Sequence, residues 1–367
     1  MIPLAKPVIG PREEELVLDV LRSGQLSLGP RVPAFEEAFA AKVGAAHASA
    51  VSSGTAGLHL ALRAIGVSEG DEVVTSPFSF VASSNSVLFE RARPVFADID
   101  QVTLNLDPDA ARAAVTERTT AVLPVHIFGL PADLPAFESF GLPIVEDACE
   151  ALGAFHADGT AVGARGHPSV FGFYANKQLT TGEGGMVTLG DGAMKERIDS
   201  ERNQGRAPDM GWLDHDRLGF NYRLSDIACA LGLAQLERLD EMLAGRARVA
   251  GCYAEALAEI EGLGLPVAEH RGDRRGWFVY VVQVPKDGPA RDDVVGALRE
   301  RAIQSKPYLP AIHLMSFYRE RFGHREGEFP VCEDVAARSI ALPFFPEMTD
   351  SQVEEVSAAL RAVLAAA

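Results

Sequence analysis

The sequence predicts an α/β fold: a mostly parallel central sheet with helices on both faces, followed by a smaller C-terminal α+β domain. Three observations carry this reading. Short β-rich apolar runs recur about every twenty to twenty-five residues, at 48–52, 72–75, 94–97, 120–126 and 142–146. Helix-like segments fill the gaps, at 56–65, 81–90, 108–115 and 132–140. Two further apolar runs, 169–173 and 185–189, flank a glycine-rich loop and read as a strand pair. Strands alternating with helices at this spacing favour parallel pairing with both sheet faces covered. Ligands of such sheets bind at the carboxyl ends of the strands.

The C-terminal third changes character. Residues 225–257 read as helix, with apolar side chains at Ile227, Leu231, Leu233, Leu236, Leu239 and Leu243. A stretch punctuated by Gly and Pro, 261–266, precedes a strand at 277–284 and a helix at 291–301. The last helix starts after Thr349-Asp350. A domain boundary is expected near residue 245, giving a large domain with an N-terminal arm (1–245) and a small one (246–367).

Composition narrows the function classes. A chain of 367 residues is long enough for a large core and two domains. The net charge of −17 disfavours nucleic acid and anionic membrane surfaces as partners. Small anionic ligands stay open, because a local site can be positive in a negative protein. The N-terminal stretch has no long apolar core and soon reaches Glu13-Glu14-Glu15, so no signal peptide is expected. Cys149, Cys229, Cys252 and Cys332 show no CxxC spacing. They read as free thiols of a cytoplasmic protein, with no metal site.

Lys177 is the most informative residue. Only six of the 34 basic residues are Lys, and this one follows an apolar strand and precedes Gln178-Leu179-Thr180-Thr181-Gly182-Glu183-Gly184-Gly185. A lysine desolvated at a strand edge loses its proton more readily and attacks carbonyls. That is how a protein carries pyridoxal phosphate (PLP) as a Schiff base. Asp147 ends a buried strand thirty residues earlier. Alone it reads as a helix cap. Beside a PLP lysine it is the carboxylate that keeps the pyridine nitrogen protonated. Gly54, Thr55 and Ala56 open the first βα helix, where unpaired N–H groups and the helix dipole suit a phosphate. Phe80, at the start of the next helix, is placed to cover the ring. His126, His156 and His313 are scattered and read as structural, with His313 open to a substrate contact. P-loop, GxSxG and HExxH motifs are absent from the sequence.

Together these segments resemble the DegT/StrS-type nucleotide-sugar aminotransferase family, a group of fold-type I PLP enzymes. The matching stretches are Ser27-Leu28-Gly29-Pro30 with Phe35-Glu36, then 52–56, Pro77-Phe78-Ser79-Phe80, Val125-His126-Ile127-Phe128-Gly129, 146–153, 176–185, 219–226 and 342–346. The TTGEGG loop after the lysine and the GFNYRLSD segment are the specific pair. The resemblance implies roles. Lys177 is the Schiff-base lysine and proton shuttle, Asp147 pairs with the pyridinium, and Thr55 and Ala56 hold the phosphate. Phe80 stacks on the ring, and Asn221 reaches the phosphate from the partner subunit of a homodimer with shared active sites. The implied reaction moves an amino group from glutamate or glutamine to a keto-sugar, nucleotide-linked. Arg206, Lys306, Tyr308 and His313 are candidate acceptor contacts, with Arg223 and Trp277 nearby in the reading.

Two positions depart from the family. Gly172 stands where a serine usually helps hold the cofactor; a hydrogen bond to a charged group is worth about 1.5–3 kcal/mol, so weaker retention is expected unless a neighbour such as Ser169 compensates. Glu150 stands where Gln or His usually contacts the phenolic oxygen, and a carboxylate there is unfavourable unless a proton is shared. A cyclitol (inosose) aminotransferase shares these motifs and remains an alternative. A dehydratase of the same fold carries His at the lysine position, so Lys177 argues against it. A sensor or regulatory protein is disfavoured by the intact Lys177 and Asp147.

Overall fold

In the computed structural model, which describes residues 1–207 and 214–366, seven strands form the large sheet. They are β1 (His47–Val51), β2 (Glu72–Thr75), β3 (Arg93–Phe96), β4 (Thr119–Leu123), β5 (Glu146–Asp147), β6 (Ser169–Gly172) and β7 (Gly185–Leu189). Strands β3, β2 and β4 pair in parallel. Parallel bridges Val122–Ile144 and Val125–Asp147 carry the sheet on to β5, which is parallel to β6. Strand β7 runs antiparallel to both β6 and β1. The order is therefore 3-2-4-5-6-7-1 with one reversed strand, and the expected strand pair around the Lys177 loop is β6–β7.

Neighbouring residues along one strand enter different apolar clusters. Val170 and Val187 pack with the helix Gly54–Ala64, while Phe171 and Met186 pack with Phe35 and Phe39 of the helix Arg31–Val43. Val73 and Val74 of β2 divide in the same way. Both faces are thus buried, which is why these strands read as continuous apolar runs.

The C-terminal part holds β8 (Glu269–His270), β9 (Asp273–Arg274), β10 (Tyr280–Gln283), β11 (Lys306–Pro307) and β12 (Ser339–Leu342). β12 lies between β10 and β11, antiparallel to each. The region expected as one helical stretch is two helices, Asp226–Glu237 and Leu239–Leu257. The second passes straight through residue 245. Its Leu239 and Met242 belong to the large-sheet core, and its Val249, Tyr253 and Leu257 to the C-terminal core. Position 245 therefore marks a change of core inside one helix. The N-terminus also crosses over: Ile2 packs in the C-terminal core and bridges to Ile303.

One buried carboxylate ties distant motifs together. Asp226 is fully buried and accepts hydrogen bonds from the N–H groups of Gly29 (2.7 Å) and Arg31 (2.9 Å). A Cβ at position 29 would sit 2.6 Å from its Oδ1, so only glycine permits the approach. Asp226→Ala leaves two backbone donors without their acceptor. We expect a loss of about 2–3 kcal/mol, read as a lower urea midpoint with unchanged slope.

Candidate active site

The site forms where β5 and β6 end. Asp147 is 5% exposed, and each oxygen has a donor. Oδ2 accepts from the Ser83 hydroxyl at 2.6 Å, and Oδ1 from the Cys149 N–H at 3.1 Å. Ser83 is held in turn by Ser79, Oγ to Oγ 2.7 Å. Phe80 is 63% exposed although it sits between these buried serines, which frees its ring to cover a flat ligand.

The residue before Asp147 steadies the strand. Glu146 is fully buried and takes hydrogen bonds from Ser169 Oγ (2.8 Å) and His126 Nε2 (2.8 Å). His126 Nδ1 accepts from the Ala132 N–H, which leaves Nε2 as the proton-bearing nitrogen. The expected structural role of His126 follows from this geometry. Ser169 is committed to Glu146 and does not compensate for the missing hydroxyl at Gly172.

Lys177 sits in a tight turn, its N–H donating to the Tyr174 carbonyl. Three contacts surround its side chain and backbone. Nζ lies 4.1 Å from the centroid of the Phe278 ring and 3.4 Å from Glu150 Oε1. The Lys177 carbonyl accepts from Arg246 (3.3 Å), whose other amino group binds the Phe278 carbonyl at 2.8 Å. Gln178 then bridges the carbonyls of Glu150 (2.5 Å) and Gly276 (3.2 Å). Gly276 can lie there because Gly129 faces it at φ +87°, where a Cβ would meet the Gly276 oxygen at 1.8 Å.

Glu150 is 7% exposed, and its Oε2 accepts from the Phe128 N–H at 3.0 Å. Burial raises its carboxyl above the usual range; the Asp147 charge adds to this and Lys177 opposes it. Arg275 lies close by, donating to the carbonyls of Phe128 and Val267, and burial pushes its guanidinium down to about 9.

The helix Gly54–Ala64 starts beside this cluster, capped by Ser53 Oγ on the Ala56 N–H at 3.1 Å. The N–H groups of Gly54 and Thr55 have no hydrogen-bond partner among the described residues. A Cβ at Gly54 would lie 2.7 Å from Cys149 Sγ, so the cradle requires glycine. A Cβ at Gly172 would meet Cys149 no closer than 3.4 Å, an ordinary contact, so glycine there is not imposed by space. Burial pushes the Cys149 thiol well up, which keeps it neutral.

These parts fit PLP. Free N–H groups at a helix start suit its phosphate, an anchored carboxylate suits its pyridinium, an exposed ring suits its face, and a half-buried lysine suits its carbonyl. A sequence profile of the DegT/DnrJ/EryC1/StrS aminotransferase family matches residues 7–361. The chain belongs to this family. It has the family's fold-type I architecture and its cofactor, PLP, and it is an enzyme of the PLP-dependent sugar aminotransferase class. The chain is 39% identical over 379 positions to the spore coat polysaccharide biosynthesis protein SpsC of Bacillus subtilis (strain 168), covering 99% of this chain and 97% of SpsC. Among solved structures, the aminotransferase TlmJ from Streptoalloteichus hindustanus is 34% identical, with TM-score 0.92 over 100% of this chain and 99% of TlmJ. DesV of S. venezuelae, solved with a ketimine intermediate, is 34% identical, with TM-score 0.89 over 95% of this chain and 93% of DesV.

The other expected residues are less uniform. Tyr308 is nearly buried and packs on Phe128 (5.5 Å) and Phe278 (6.4 Å), next to Glu150 and Lys177. Lys306 is exposed, with Nζ 5.7 Å from the Tyr308 ring. Trp277 stacks on Tyr280 inside the C-terminal core, under Arg275. His313 is fully buried, with Nε2 3.0 Å from Glu333 and its ring 4.7 Å from Phe329. Burial lowers its pKa, and it presents no face to a ligand. Asn221 is exposed and bridges to Asn203, and Arg223 donates to Asn203 Oδ1 at 3.1 Å. The Tyr222 carbonyl accepts from the Ser52 N–H at 2.8 Å, so this segment lies beside the helix start. Arg206 bridges to His215 at the backbone.

Ser83, Gln178, Arg246 and Phe278 escaped the sequence reading. Ser83 alone had a local signal, lying one helical turn after Phe80 in a serine-rich stretch. Ser83→Ala removes a hydrogen bond to a charged carboxylate, worth about 1.5–3 kcal/mol. We expect turnover to fall about tenfold or more with an unchanged far-ultraviolet circular dichroism spectrum.

Proposed function

We propose that this enzyme transfers an amino group from glutamate or glutamine to a nucleotide-linked keto-sugar, with Lys177 as the lysine that carries the cofactor. The observation that carries the site assignment is the juxtaposition of Lys177 Nζ with Glu150 and Phe278 beside the doubly bonded Asp147. PLP, when bound, supplies a carbonyl for amines and a ring that accepts the electron pair of a carbanion. Asp147, fixed by Ser83 and the Cys149 N–H, would hold the pyridine nitrogen. The free N–H groups of Gly54 and Thr55 would hold the phosphate at the helix start, with Ala56, whose N–H is capped by Ser53, beside them. Phe80 covers the ring face and excludes water from it. Lys177 moves the proton at Nζ, and its tethered position makes that transfer intramolecular.

The acceptor reading rests on Lys306 and Tyr308. Tyr308 packs on Phe128 and Phe278, the ring beneath the lysine, and Lys306 stands exposed above it. A cation there suits a diphosphate. Arg206 is a second candidate contact; His313, buried against Glu333, is not. The enzyme is further proposed to be a cytoplasmic homodimer in which Asn221 serves the partner's site. No helix of the described residues is long and apolar enough to cross a membrane.

Borohydride reduction of the loaded protein followed by peptide mapping is expected to place the pyridoxyl mass on Lys177. Label on a different lysine overturns the assignment. Lys306→Ala is expected to raise the acceptor KM about tenfold or more, as loss of a charged contact worth about 1.5–3 kcal/mol implies, and to leave the half-reaction with the amino donor unchanged. The wild-type acceptor KM rises with salt on the same grounds. Efficient amination of free cyclitols with neglect of nucleotide-sugars overturns the acceptor reading and leaves the cofactor assignment intact.

A further inference from the structure

Lys177 Nζ meets two groups of different character. It lies 4.1 Å from the centroid of the Phe278 ring and 3.4 Å from Glu150 Oε1. Phe278 is buried. Burial by itself favours the neutral amine, because an ammonium loses its hydration. The ring works the other way. An aromatic face carries negative charge density, and a cation over it gains more in a dry setting than at the surface. A carboxylate beside the same nitrogen adds to this.

The other charged and titratable groups around the pair come from four segments: Asp147 and Cys149 at the end of β5, Arg275 before β10, Tyr308 after β11, and Arg246 on the helix Leu239–Leu257. Both guanidiniums are spent on backbone carbonyls. Arg275 donates to Phe128 and Val267, and Arg246 to Lys177 and Phe278. Arg246 therefore ties the lysine and the ring together by their main chains. Tyr308 packs on the ring at 6.4 Å.

We propose that the Phe278 ring is the seat of the proton-bearing lysine and stabilises the ammonium form of Lys177 whenever Nζ has no bond to the cofactor. This rests on the reading of Lys177 as the cofactor lysine. As a shuttle, its amine takes the proton when the donor's Cα–H bond breaks, and the electron pair of that bond passes into the cofactor ring. The amine then gives the proton back to a cofactor carbon. Between those transfers Lys177 is a cation in a largely dry site, faced by Phe278 and Glu150. The same contact slows loading. Attack on the cofactor's carbonyl carbon needs the lone pair of the neutral amine. The N–C bond forms, the C=O bond breaks, and the oxygen leaves as water with the amine's two protons. An ammonium held on the ring has no lone pair to give.

The rate of loading tests this, followed by absorbance as saturating PLP is mixed with full-length protein stripped of cofactor. Fluorination drains negative charge from an aromatic face and barely changes its shape. With mono- and then trifluorinated phenylalanine at position 278 alone, loading near neutral pH is expected to speed up stepwise. Phe278→Leu keeps the site dry without an aromatic face. It is expected to load about two- to thirtyfold faster than wild type, the span that a cation–ring contact implies. The gain shrinks as pH rises into the lysine range, about 10.4, where the ammonium is lost in every variant. Equal or slower rates across the fluorinated series overturn the proposal, and so does a gain that persists unchanged at high pH, which a packing effect alone would give. Borohydride mapping of the loaded samples separates the two ideas: label on Lys177 with no fluorine dependence overturns the role of Phe278 alone, whereas label on another lysine overturns the reading beneath it.

Discussion

Four charges buried together at the end of β5 govern the design of this site. Asp147, Glu150, Lys177 and Arg275 sit where water is largely excluded, and a buried charge persists only if paired and hydrogen-bonded. Much of the surrounding architecture supplies those bonds. Ser83 and the Cys149 N–H serve Asp147, and the Phe128 N–H serves Glu150. Phe128 itself holds a left-handed backbone (φ 52°), which a bulky residue adopts only when its surroundings enforce it. Its carbonyl binds Arg275, so the enforcement and the charge pairing are one arrangement.

The lysine loop depends on the C-terminal half of the chain. Phe278 underlies Nζ, and Arg246 clamps the carbonyls of Lys177 and Phe278. Gln178 joins the loop to Gly276, and Gly276 reaches that position through its contact with Gly129. Arg246 is a buried cation that pairs with no carboxylate among the described residues, and burial pulls it down to about 10. Its value lies in geometry: one rigid fork ties the Lys177 turn to the segment that leads into β10.

The remaining quoted segments meet for backbone reasons. Asp226 caps the N–H groups at Gly29 and Arg31, and Tyr222 takes the N–H of Ser52. The GFNYRLSD segment thereby fixes the start of one helix and flanks the start of another, the one that offers Gly54 and Thr55. Arg63 donates from Nη1 to both oxygens of Glu90 and from Nε to Glu201, while His59 Nε2 lies 2.6 Å from Glu90. That network secures the Gly54–Ala64 helix against its neighbours, away from its N-terminal end.

The order of strands and helices was legible in the sequence because burial on both faces writes itself as apolar runs at regular spacing. Lys177 and Asp147 were legible as candidates, since an ionisable residue at the end of such a run conflicts with its surroundings and so stands out. The TTGEGG and GFNYRLSD segments carried the family. Tertiary structure alone decided the rest. Ser83, Gln178, Arg246 and Phe278 are ordinary residues in ordinary local patterns, and each takes its place through a contact with a part of the chain more than sixty residues away. His313 looked available because sequence carries no measure of burial; Glu333 and Phe329 enclose it. The single helix through residue 245 joins two cores because its apolar stripe serves one and then the other, a division that periodicity alone does not display.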